Sequence, residues 1–146
     1  MRICIVGSKE RDMPEDRALV HELMERIVGE VPHIVFVTVM THMGVGKFVR
    51  DKCLEKDANG QYRFALIECS VRIHARSLSK TEAAQIYLAR NASPFEMSDM
   101  MVYFASEDRR GTCEDILERF QVAGRPAVVM MPGDSIPTEM FSRKET

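Results

Sequence analysis

Ile3-Cys4-Ile5-Val6-Gly7-Ser8 opens the chain as a short apolar run halted by a glycine and a serine. Ile3, Ile5 and Val6 are β-branched and favour extended backbone. Pro14 to Gly29 follows with the marks of a helix: Pro14 suits the first turn, and Glu15 and Asp16 favour its positive end. Leu19, Val20, Leu23, Met24, Ile27 and Val28 recur at helical spacing as one apolar stripe. The unit is strand, turn, helix, and the rest of the chain repeats it.

Ile34 to Val39 reads as a second strand, apolar on both faces as a strand covered by helices on both sides would be. After a loop holding Gly44 and Gly46, a helix is expected over Lys47 to Lys56, ending before the turn Asp57-Ala58-Asn59-Gly60. A third strand is expected over Phe64 to Cys69. Ser79-Lys80-Thr81-Glu82 is a capping-box pattern that starts a helix. Asn91 to Ser98, with Pro94 inside it, reads as irregular, and Met100 to Ala105 as the fourth strand. Thr112 caps a helix reaching about Ala123, closed by Gly124, and Pro126 to Met131 supplies the fifth strand. Strands alternating with helices imply right-handed βαβ units. The expected fold is α/β, a Rossmann-like three-layer sandwich with a mainly parallel sheet of about five strands. It occupies residues 1–132, with 133–146 as a polar tail or partner-contacting arm.

The 146 residues have the size of one domain, able to bury a core without disulfides or a structural metal. With 45% hydrophobic and 29% charged residues the chain is globular. A formal net charge of −2 argues against a strongly basic nucleic-acid binder. Cys4, Cys53, Cys69 and Cys113 form no C-x-x-C pair, and Cys4 and Cys69 read as buried free thiols; no metal site is expected. The first apolar run stops at Val6-Gly7, too short for a signal peptide, and no stretch approaches the roughly 20 apolar residues of a membrane span. A cytoplasmic location without membrane contact is the expectation.

Ligands of open parallel sheets bind outside the carboxyl ends of the strands, where strand order reverses. Four loops fall at that edge: Gly7-Ser8-Lys9, Met40 to Gly46, Ser70 to Ser79, and Ser106 to Thr112. Gly7 permits close backbone approach, and the Ser8 hydroxyl can bond a phosphate or ribose. Thr41 and Gly44 lie in the second loop. Gly111-Thr112 opens a helix whose first N–H groups suit an anion, with Arg109 and Arg110 just before it. Glu114 and Asp115 oppose a phosphate there but suit ribose hydroxyls or a base. Gly44-Val45-Gly46-Lys47 is not a Walker loop, since Thr41 holds the first glycine position and Phe48 follows the lysine. Gly7 opens no G-x-G-x-x-G fingerprint, because Lys9 and Asp12 occupy the later glycine positions. His21 and His33 are expected on the surface, while His42 and His74 lie near the ligand edge. The methionines read mainly as core filler, with Met97, Met100 and Met101 as an alternative dimer surface.

The loops resemble the superfamily that joins DNA-processing protein A to the Lonely Guy phosphoribohydrolases (the SLOG, or lysine decarboxylase-like, Rossmannoid group). The opening Ile3 to Lys9 is similar to that family's first strand and Gly-Ser turn. Arg90 stands nine residues before Asp99, ahead of the strand Met100 to Ala105, and Gly111-Thr112-Cys113-Glu114-Asp115 matches a Gly-Thr-x-x-acid helix start. Met40-Thr41 replaces the family's Gly-Gly, and Glu107-Asp108-Arg109-Arg110 replaces its Pro-Gly-Gly. The resemblance implies a nucleotide or nucleotide-derived ligand held at the sheet edge by a sensor or binding domain, without a cofactor, and often as a homodimer. For the hydrolase branch it implies cleavage of an N-glycosidic bond of nucleoside monophosphates, with Arg90 steadying the sugar phosphate and Asp115 as the acid. A third reading is a nucleic-acid-associated module using Lys47, Arg50, Arg72, Arg76 and Arg90.

Overall fold

Along β1 (Arg2–Gly7) the side chains alternate between two cores. Ile3 and Ile5 join one buried cluster, and Cys4 and Val6 join the other. A strand with both faces apolar needs a layer on each side. The chain supplies them in α1 (Pro14–Glu30) and α2 (Val45–Cys53) on the first face, and α3 (Lys80–Glu96) and α4 (Cys113–Val122) on the second. The computed structural model describes residues 1–70 and 79–138, with the side chains of residues 83–85 and 87–90 also outside the description.

The remaining strands are β2 (Val35–Val39), β3 (Ala65–Cys69), β4 (Met100–Phe104) and β5 (Ala127–Met130). All neighbours are parallel, in the order β3-β2-β1-β4-β5. The protein is therefore an α/β Rossmann-like three-layer sandwich. The chain builds outward from β1 to β3, then returns to place β4 on the other side of β1. That return carries α3 and α4 to the second face and makes the β1–β4 junction the point where strand order reverses. In register, Ile5 stands beside Val102 and Gly7 beside Phe104.

Element ends differ from expectation where tertiary contacts outweigh local signals. Helix α2 begins at Val45 and stops at Cys53, earlier at both ends than Lys47 to Lys56. Helix α3 starts as its capping box dictates, with the Glu82 N–H donating to Ser79 Oγ at 3.1 Å. It then runs through Pro94 to Glu96, so the expected irregular stretch from Asn91 is helical. Proline removes only one N–H, and here it does so in the last turn. Its neighbour Phe95 meets Phe120 of α4 edge-on with ring centroids 5.2 Å apart, and the Met97 N–H still reaches Ser93 O at 3.0 Å. Thr112 precedes α4 as expected, but it has helical φ and ψ and its side chain makes no cap bond. Gly124 closes α4 at φ 68°, where Arg125 N–H bonds Phe120 O and Gly124 N–H bonds Gln121 O.

Met100 and Met101 are both core residues, one in each cluster, and so offer no dimer surface; Met97 is partly buried against the second cluster. His21 is half-buried between α1 and α2, not a surface residue, because its Nε2 lies 2.8 Å from Phe48 O. The C-terminal segment packs in part: Ile136 is buried in the first cluster, and Arg26 reaches the carbonyls of Ile136 and Pro137. Residues 139–146 lie outside the described residues. No described helix is long and apolar enough to cross a membrane.

Candidate functional site

At the strand-order reversal the loops after β1, β2 and β4 enclose a crevice of about 690 Å³. Val6, Gly7, Ser8, Lys9 and Glu10 form one wall; Thr38, Val39, Thr41, His42, Met43 and Gly46 form a second; Arg110, Gly111, Thr112 and Cys113 form the third. The floor is apolar through Val6 and Val39, while the polar groups stand on the walls.

The first wall is fixed by a buried arginine. Arg11 is 4% exposed, and its Nη1 donates to Ala105 O at 2.8 Å and Met130 O at 3.1 Å. Its Nε pairs with Asp16 Oδ1 at 2.7 Å. Ala105 O, just past the end of β4, gains its donor from this arginine, while Met130 O, at the end of β5, also accepts the Ala105 N–H at 2.9 Å. The neighbouring Asp12 accepts the Gly44 N–H at 2.6 Å, joining the first loop to the second. Gly44 holds φ 76°, a conformation that favours glycine. It therefore anchors the loop and does not line the crevice.

The second wall depends on close packing of α2. A methyl group at Gly46 would strike Val39 O and come within 2.5 Å of Thr41 Oγ1. One at Gly7 would strike Val45 and sit 2.9 Å from Phe104 O. Both glycines let helix α2 approach the strand ends. Thr41 Oγ1 is buried at that junction, with no hydrogen-bond partner among the described residues.

The third wall is the start of α4, tied to β1 by Cys113, whose thiol donates to Gly7 O at 3.4 Å. Helices α2 and α4, which open onto the crevice, both begin without a side-chain cap bond, whereas α3 carries a full capping box. The positive ends of both helix dipoles lie at this edge of the sheet, and in α4 the Glu114 and Asp115 N–H groups already donate to Gly111 O and Thr112 O at 3.3 and 3.1 Å. The acids of α4 are each engaged by an arginine. Glu114 pairs with Arg109 at 3.1 Å and Asp115 with Arg119 at 3.0 Å. Burial works to raise the Glu114 carboxyl, but the Arg109 guanidinium and the Tyr103 hydroxyl together hold the group below its ordinary value. Burial pushes the Tyr103 hydroxyl up, with the Glu114 charge adding to it.

Of the residues expected at the site, Gly7, Ser8, Lys9, Thr41, Arg110, Gly111 and Thr112 line this crevice. Ser8 and Thr112 share one hollow. Arg109, Glu114 and Asp115 stand outside its lining, each held in an ion pair. Asp115 also lies 3.4 Å from Asn91 Nδ2. The Arg90 side chain and all of His74 lie outside the described residues, as do Arg72 and Arg76. Lys47 and Arg50 are paired with Asp51 and Glu68. Among the described residues no group of three His, Cys, Asp or Glu side chains is placed to hold a metal ion.

Sequence reasoning missed Glu10, Arg11, Met43 and Cys113. Glu10 and Met43 lie in or beside loops already singled out. Cys113 sits within the Gly-Thr helix start. For Arg11 the only local partner is Asp16, five residues on, and the carbonyls that bury it are 94 and 119 residues away. Comparison of the chain with family models, curated proteins and solved structures finds no match.

Proposed function

We propose that this protein binds a nucleotide or nucleotide-derived ligand in the crevice at the carboxyl edge of the sheet, acting as a sensor or binding domain. The observation that carries the reading is the convergence of Ser8, Thr41 and Thr112 on one crevice of about 690 Å³ at the strand-order reversal. A volume of that size suits a small organic ligand. Its apolar floor fits a flat base. Lys9 and Arg110, beside the positive ends of α2 and α4, fit an anionic group. Arg110 is extended into solvent, with its side chain 83% exposed and only a 3.4 Å contact to Asp108, and so remains available to a phosphate.

A thermal-shift panel of nucleoside mono-, di- and triphosphates tests the reading. A ligand at about 100 times its Kd stabilises by about 2.7 kcal/mol, or about 5–10 °C in Tm for a chain of this size. The rise should saturate and should shrink for Arg110→Ala. No saturable shift with any nucleotide would overturn the proposal. Hydrolysis through Asp115 has less support, since that carboxylate is paired with Arg119 outside the crevice lining.

A further inference from the structure

Ser8, Lys9, Glu10 and Arg11 form a tight turn closed by the Arg11 N–H on Ser8 O at 3.0 Å. Inside it, Ser8 Oγ accepts the Glu10 N–H at 3.2 Å. The turn is held at both ends, by the Ser8 N–H on Phe104 O at 3.0 Å and by the buried Arg11 guanidinium. Its tip residues, Lys9 and Glu10, therefore stand at fixed positions in the crevice lining. Glu10 is the only carboxylate among the described lining residues. The acids of α4 that the sequence offered for a ribose are occupied by Arg109 and Arg119.

We infer that Glu10 is the specificity residue of this crevice, accepting the vicinal hydroxyls of a ribose while Lys9 and Arg110 hold the anionic end of the same ligand. The inference rests on the nucleotide reading above. Lys9 and Arg110 have only hydrogens to give, whereas a carboxylate only accepts. Two adjacent hydroxyls are a neutral donor pair that matches its two oxygens. An anion lacking them would meet Glu10 as a like charge with nothing to offset its desolvation. The turn thus pairs one cation with one acceptor, and so favours a ligand that is anionic and hydroxylated over one that is merely anionic.

The test measures binding of AMP, GMP, CMP and UMP and their 2′-deoxy counterparts to the full chain. Wild type should prefer the ribose form of whichever base it binds by about tenfold or more, as a site built to bond a hydroxyl does. Glu10→Ala should reduce that preference to within about threefold, with Glu10→Gln intermediate. Glu107→Gln, which removes an exposed charge outside the lining, should keep it. Circular dichroism should show all three variants folded, since Glu10 and Glu107 are both exposed; if Glu10→Ala did not fold, Glu10→Gln would be read alone. Binding without ribose preference in wild type, or an unchanged preference in the Glu10 variants, overturns this inference and leaves the nucleotide reading standing. Failure of these and of the di- and triphosphates of the thermal-shift panel to bind overturns both.

Discussion

Arg11 Nη1 lies 2.8 Å from the carbonyl oxygen of Ala105, so a residue of the first loop closes the end of the fourth strand. The same nitrogen reaches Met130 O, and the guanidinium pairs with Asp16. Removing it would strip the buried Ala105 carbonyl of its donor and break the ion pair with Asp16, while Met130 O keeps the Ala105 N–H and Asp16 keeps the Met13 N–H. Arg11→Met is expected to destabilise the protein by about 2–3 kcal/mol, because a stranded buried acceptor costs more than its bond contributes. Urea unfolding should show a lower midpoint with an unchanged slope.

Two helical glycines should respond differently to alanine. Alanine is the better helix former by about 1 kcal/mol in a helix interior. At Gly46, however, the new methyl meets the backbone oxygen of Val39, which cannot swing aside. Gly46→Ala is expected to cost about 2–3 kcal/mol, in the range of overpacked cores. Gly29, near the end of α1, has nothing within 4 Å of the new methyl. Gly29→Ala should leave stability unchanged or raise it by up to about 0.5 kcal/mol. Paired thermal melts decide this, and a loss at Gly29 equal to that at Gly46 would contradict the steric argument.

His21 should make stability fall in mild acid. A carbonyl only accepts, so the 2.8 Å contact with Phe48 O requires the Nε2–H tautomer in the neutral ring. Burial lowers the imidazole below its ordinary value of 6.5, and the nearby Arg17 and Lys52 charges add to this against the Phe48 bond. The unfolded chain then binds the proton more readily than the folded one. Stability is complete above the ordinary value and is lost as pH falls from there through the lower folded value. Chemical denaturation between pH 7.5 and 5 should show this slope, and His21→Gln should flatten it.

Cys113 should be the first thiol to react. It is half-buried in the crevice lining, whereas Cys4, Cys53 and Cys69 are buried. Burial pushes the Cys53 thiol up to about 12 and raises those of Cys4 and Cys69 as well, which suppresses their thiolates. Limited iodoacetamide treatment followed by peptide mapping should find Cys113 modified and the others protected until the chain unfolds. A ligand seated in the crevice should slow that reaction.

Much of this architecture could be read residue by residue. Ile3 to Val6 and Met100 to Phe104 are apolar on both faces, and that pattern has few solutions other than a covered parallel strand. Ser79 and Glu82 announced α3 through chemistry confined to four residues. Pro94 misled because its local rule is real, while the Phe95–Phe120 contact that outweighs it depends on another helix. The site followed the same division. Gly7, Ser8, Gly111 and Thr112 carry their meaning locally, as strand-ending and helix-starting residues. The pairings of Glu114 with Arg109 and Asp115 with Arg119 span only five and four residues and were open to a spacing argument, whereas the burial of Arg11 depends on where the ends of β4 and β5 come to rest.

The anchored Ser8–Arg11 turn also bears on how fast a guest arrives. A loop already tied to two strand ends has little conformational freedom left to surrender, so occupancy exacts almost no ordering entropy from that wall. Encounter and seating then merge into a single kinetic event, with an observed rate that climbs linearly with guest concentration and shows no plateau from a slow rearrangement.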